Sequence, residues 1–166
     1  MYEKTIQFLI RNNTEKKIMI IDTLKTLFSR DLNRLKKEIE AYRNESVIWL
    51  VEKSIANSAG NLCLHLIGNL NAYIGAGIAK TGYIRQRDLE FSQKNIPRKE
   101  LVQKIEATIQ VVEDGLNSLT PEQMSADFPI VIWDQPTKME YTLVHLATHL
   151  NYHLGQINYH RRLLDQ

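Results

Sequence analysis

Four of the chain's five histidines, His145, His149, His153 and His160, stand within the single segment HLATHLNYHLGQINYH. The first three recur every fourth position. On a helix such residues share one face, with Cβ atoms roughly 5–6 Å apart. Two imidazoles at that spacing can close on one metal ion, and neutral imidazole suits zinc, nickel, iron and copper alike. His149-Leu150-Asn151-Tyr152-His153 has the spacing of the H-E-x-x-H helix of zinc proteases. Leu150 stands where that motif needs glutamate, so protease chemistry is not supported. Spacing alone does not choose between the pairs 145/149 and 149/153. A third ligand must come from elsewhere, and His65 is the only histidine outside the segment. Three protein nitrogens leave a coordination position for an exchangeable ligand, the mark of a catalytic rather than a structural site.

Other residues near this stripe have two readings each. Gln156 lies three residues beyond His153 on the same face. With Tyr152 and His145 it is a candidate for orienting a ligand or substrate; equally, each can be structural. His160, two turns beyond His153, is read as solvated or hydrogen-bonded and outside the site. Cys63 is two residues from His65 and points to another side of the helix. It reads as a small core hydrophobe.

The elements that must position these residues are helices. Leu24, Leu27, Phe28, Leu32, Leu35, Ile39 and Tyr42 follow steps of three and four. That pattern predicts a helix from Thr23, with Asp22 as its N-cap and a break at Arg43-Asn44-Glu45. A second helix opens at Asn57-Ser58 and stops at Gly82. It is apolar nearly all round except for Asn61, His65 and Asn69, a polar line that needs a polar interior to face. TGYIRQRDLEFSQKN reads as a charged connection. A third helix starts at Pro97 and carries a clean stripe from Leu101 to Leu119. DFPIVIWDQP is extended or irregular. Thr137-Lys138-Met139-Glu140 reads as a capping box that opens the histidine helix. Residues 1–22 stay ambiguous: TIQFLIR and KKIMIID flank a turn-like Asn12-Asn13-Thr14-Glu15, giving a short hairpin or two helical turns. Four long helices predict an all-α, antiparallel four-helix bundle occupying the chain as one domain.

Composition narrows the function classes. Apolar content of 43% and charged content of 24% suit a globular chain with a real core. A net charge of +2, with both signs interspersed, gives no basic face for nucleic acid. No apolar run approaches the roughly 20 residues that span a bilayer. No signal peptide is recognisable, and a single cysteine excludes an internal disulfide. A cytoplasmic location is the default expectation.

Three stretches together carry a family likeness. They are N57-S58-A-G-N-L-C-L-H65-L-I-G-N69-L, R85-Q-R87-D88-L-E90-F91 and H149-L-N-Y-H153-L-G-Q-I. In this order they resemble the DinB/YfiT-like superfamily of small four-helix metal proteins, over roughly residues 23–164. The second stretch is similar to a branch of largely unassigned function. The resemblance implies a divalent metal (zinc, nickel or iron) held by His65, His149 and His153, and an antiparallel bundle that forms a homodimer. It also implies a transferase or isomerase using a low-molecular-weight thiol, with metal-dependent hydrolysis as the competing activity.

The residues themselves leave several functions open. A three-histidine metal site can activate water for hydrolysis or a thiol for transfer. Asn69, Arg85 and Arg87 are candidate substrate contacts, the guanidinium forks suiting a carboxylate. Alternatively, the arginines pair with Asp88 and Glu90. A non-enzymatic metal or haem module would also use histidines on facing helices. No CxxCH motif is present, so any haem would be non-covalent. An interaction scaffold with an incidental polar stripe is the remaining alternative.

Overall fold

The computed structural model describes residues 2–52 and 54–166. Among them five α-helices follow in order: α1 Tyr2–Glu40, α2 Ala59–Leu70, α3 Arg87–Ser92, α4 Arg98–Asn117 and α5 Met139–Leu164. No strand is formed among the described residues, and an isolated bridge joins Asp127 to Lys138. The chain is all-helical. Helix α1 packs on α4 and α5, and α2 packs on α4, α5 and the short α3. The four longer helices therefore neighbour one another in a ring, which is consistent with a four-helix bundle. No helix is long and apolar enough to cross a membrane.

The predicted apolar stripe of α1 is the buried one: Leu24, Phe28, Leu32, Leu35 and Ile39 are all in the core. Its start differs from expectation. The helix is already running at Tyr2, so residues 2–22 form neither a hairpin nor separate turns, and Asp22 is not a cap. Local bonds explain how the polar spacer stays helical. Thr14 Oγ1 donates to the Ile10 carbonyl, and Arg11 pairs with Glu15 one turn on, at 2.9 Å. Asp22 gives its carbonyl to Thr26 Oγ1 in the same way.

Helix α2 opens as predicted, with Ser58 Oγ accepting from the Asn61 amide. It ends earlier than Gly82. After Leu70 the backbone widens into a π turn over Asn71–Ala76. Lys80, at φ 57°, then reverses the chain, a role expected of a glycine. Pro97 caps α4, whose helix begins one residue later than predicted. The capping box before α5 does not form. Lys138 occupies the cap position without a side-chain bond, and Thr137 Oγ1 pairs with Thr142 Oγ1 instead. The helix start is aligned by backbone: Phe128 donates to the Thr137 carbonyl and Met139 to the Ala126 carbonyl.

Candidate metal centre

Helices α2 and α5 bring His65 against His149 and His153. One nitrogen from each of the three lies within 4.8 Å of the other two. His65 Nε2 and His149 Nε2 are 3.2 Å apart. Two ligands bound at about 2.0–2.1 Å in tetrahedral geometry stand about 3.3 Å apart, so this spacing is that of a chelating pair. The three rings meet edge to face, with centroids 4.6–5.2 Å apart.

Backing groups set which nitrogens face the shared point. His65 Nδ1 lies 2.9 Å from Glu90 Oε2, a carboxylate that can only accept, so Nδ1 carries the proton and Nε2 is left free. Glu90 is itself gripped by Arg85, whose Nε and Nη2 donate to the two carboxylate oxygens at 2.7 and 2.8 Å. Burial pushes the Glu90 carboxyl up, but the bonds and charges of His65 and Arg85 outweigh it and hold the group below its ordinary range. His153 Nδ1 lies 2.6 Å from Gln156 Oε1, which fixes the same tautomer there. Gln156 in turn donates to the Tyr152 hydroxyl at 3.3 Å. Such carboxylate and amide partners are what orient metal-binding histidines.

The two cluster imidazoles of α5 are also held neutral. Burial and the fields of His153, His65, His145 and Arg85 lower His149 to about 4. Burial lowers His153 as well, with a smaller contribution from His65 and against the bond from Gln156. A metal needs the unprotonated nitrogen, so His149 and His153 are competent near neutral pH without first releasing protons. Within the cluster His149 Nδ1, and on α2 Asn69 Oδ1, are buried with no hydrogen-bond partner among the described residues. Donor identity, spacing and tautomers thus fit a divalent cation.

The other predicted site residues sort around this cluster. His145 does not join it: its ring stacks on His149 at 6.2 Å and meets Trp133 edge-on at 4.7 Å. Arg85 takes the second of its two expected roles and forks onto Glu90. Arg87 lies over the Phe91 ring at 5.6 Å, on the exposed side of α3. His160 is buried rather than solvated. Its Nε2–H donates to the Leu50 carbonyl at 2.9 Å and its Nδ1 accepts from Tyr42 at 2.8 Å. Cys63 is buried, and burial pushes its thiol up to about 12.

Sequence reasoning missed Glu90 as the partner of His65, and Gly68 with it. A Cβ on Gly68 would overlap the Glu90 carboxylate, so the glycine is what admits the acid to α2. The signal was the spacing of Gly68, three residues after His65 and on the same face. A second network pins the segment that carries Glu90. The Asn61 amide nitrogen donates to the Glu90 and Gln93 carbonyls, both at 2.9 Å, while its oxygen accepts from Ser58 and Lys94. Asn61 thus holds α3 and its carboxylate against α2, where the acid meets His65.

Among curated proteins, no significant match to the chain is found. The family model described as "Protein of unknown function (DUF1572)" matches residues 14–166, from within α1 to the end of the chain. The chain belongs to the DUF1572 family.

Proposed function

We propose that this protein is a DinB/YfiT-like metal-dependent enzyme that binds one divalent cation through His65, His149 and His153 and transfers a small thiol to an electrophile. The observation that carries the reading is the convergence of three imidazoles, two with their Nδ1 atoms held by Glu90 and Gln156. A cation bound there supplies Lewis acidity at an exchangeable position, favouring the deprotonated form of a thiol presented to it.

The chain's own groups have distinct tasks in this reading. Glu90 Oε2 keeps the proton on His65 Nδ1, and Arg85 keeps Glu90 ionised. Gln156 orients His153, and Tyr152 anchors Gln156. His145 buttresses His149 on its open side. In the transfer the thiol gives up its proton and its sulfur bonds to the electrophilic carbon. The leaving group departs with the bonding pair and takes up a proton. No competing nucleophile is supported: Cys63 is buried with a raised pKa. A haem between facing histidines is disfavoured, because the His65 and His149 nitrogens at 3.2 Å leave no slot for a macrocycle. A low-molecular-weight thiol and a second copy of the chain are the partners this reading calls for.

The test uses untagged protein, since an affinity tag itself loads metal. Elemental analysis is expected to give one divalent ion per chain, and His149→Ala to lose it. Metal-loaded protein, screened with several small thiols and a model electrophile, is expected to consume thiol faster than both His149→Ala and a protein-free blank. Equal rates in all three would reject the transferase. Ester or amide hydrolysis that is lost in the same variant would replace it with the hydrolase.

A further inference from the structure

Beside His153 a groove of about 450 Å³ runs between α5 and the loop that precedes α2. Ile55, Leu62, Tyr152, Tyr159 and Leu163 line it, together with His153 of the three-histidine cluster. Its volume lies in the range of small-molecule pockets, roughly 300–1,000 Å³. Among the described residues that line it, none is an acid, a lysine or an arginine. That is unusual for a chain in which 24% of residues are charged. Three of its large side chains lie open to solvent: Tyr152 at 64%, Tyr159 at 67% and Leu163 at 59%. Clustered exposed apolar groups mark a surface that a ligand covers. Polar contacts remain for such a ligand. The Asn57 amide and the Tyr159 hydroxyl have no hydrogen-bond partner among the described residues, and the Tyr152 hydroxyl, which accepts from Gln156, keeps its own O–H to donate.

We infer that this groove receives the electrophilic substrate, and that the substrate is an uncharged molecule with an aromatic or aliphatic body. The inference rests on reading the three-histidine cluster as the reacting centre, since His153 belongs to both the cluster and the groove. Charge agrees with it. Arg85, the arginine that backs the cluster, forks onto Glu90 and offers no free fork to a carboxylate. Among the described residues, no charged side chain lines the groove to compensate an anion desolvated there. A flat apolar body would stack between the two tyrosines.

The experiment compares three isosteric probes on the full chain: 2-naphthylmethanol, 2-naphthoate and 2-naphthylmethylammonium. Binding is read from methyl shifts in carbon–proton NMR spectra. The neutral probe is expected to bind at least tenfold tighter than either ion, with shifts centred on Ile55, Leu62 and Leu163. Leu163→Asp and Tyr159→Asp are expected to weaken it at least tenfold. Both residues are mostly exposed, so neither change threatens the fold. Binding is expected to survive in His149→Ala, which separates the groove from the metal reading. If metal analysis fails while this binding holds, the groove stands and the catalytic assignment falls. Equal or tighter binding of 2-naphthoate would overturn the inference. So would shifts centred on Ile109 and Leu116 in the separate groove between α1 and α4, or no binding of the neutral probe at millimolar concentration.

Discussion

Glu90 is the residue on which the candidate metal centre leans, backing His65 without joining the three nitrogens. It is buried, ionised and shared between His65 and Arg85. Replacing it with glutamine keeps its size but removes the charge and one of the two equivalent acceptor oxygens. Glu90→Gln is expected to weaken metal affinity about 10–100-fold, the usual cost of losing a ligand's backing group. Competition titration against a chromophoric chelator measures it. Gly68→Ala should produce the same loss without altering any ligand, because the added methyl displaces the carboxylate. His160→Ala gives the contrast. It strips partners from Tyr42 and the Leu50 carbonyl and is expected to cost stability, about 1–3 kcal/mol per orphaned buried group, while leaving metal stoichiometry at one. Unchanged affinity in Glu90→Gln would mean that His65 is held by packing alone. The stripe of histidines on α5 was legible because its spacing repeats the helical period, whereas the choice of His149 and His153 with His65 came from the family resemblance. Glu90 was not legible, because it acts 25 residues from His65 from a six-residue helix with no periodic signal of its own.

At the scale of elements, the buried stripes of α1 and α4 and the cap of α2 could be read directly, since each rests on contacts within a few residues. The misread boundaries share a cause: the deciding bonds lie elsewhere. The capping box before α5 is displaced by backbone pairing to Ala126 and Phe128, across a loop. Residues 10–20 of α1 are mostly exposed and show no clean stripe, so nothing in their pattern distinguished a solvated helix from a hairpin. The end of α2 is set by tertiary fit. The π turn over Asn71–Ala76 carries Ile74 against α4 at Gly115, where an added Cβ would fall 2.6 Å from Ile74 Cγ2. Asn71 is tied to α4 as well, donating to Thr108 Oγ1 at 2.9 Å. Gly115→Ala is therefore expected to destabilise the protein by about 1–3 kcal/mol through overpacking, although alanine is the better helix former. Chemical denaturation measures the change. A stabilised variant would show that the π turn gives way easily and does not define the α2–α4 spacing.

For the molecule as a whole, acid stability should depend on one buried carboxylate that links α1 to α5. Asp31 is only 2% exposed. Arg30 forks onto it at 2.7 and 2.9 Å, Arg34 lies 3.7 Å away, and Asn151 of α5 donates to it at 3.2 Å. Burial pushes the carboxyl up, but the bonds from Arg30 and Asn151 and the charges of Arg30 and Arg34 outweigh it, leaving the group below its ordinary range. In the unfolded chain it titrates near an ordinary value of about 3.9. Between these two values the unfolded state binds more protons, so stability falls as pH falls. The contribution is complete above the unfolded value and gone once the folded carboxyl is protonated. Asp31→Asn keeps the shape and one acceptor, removes the proton linkage and leaves Arg30 without its partner. The variant is expected to have a lower urea midpoint than wild type at pH 7. Its midpoint should also fall less between pH 5 and pH 3, so that the two curves converge in acid. Glu90 shares the same sign and remains in both proteins, which is why convergence rather than a flat profile is the expected result. Parallel curves over that range would place the acid sensitivity in other carboxylates and reduce Asp31 to a packing residue.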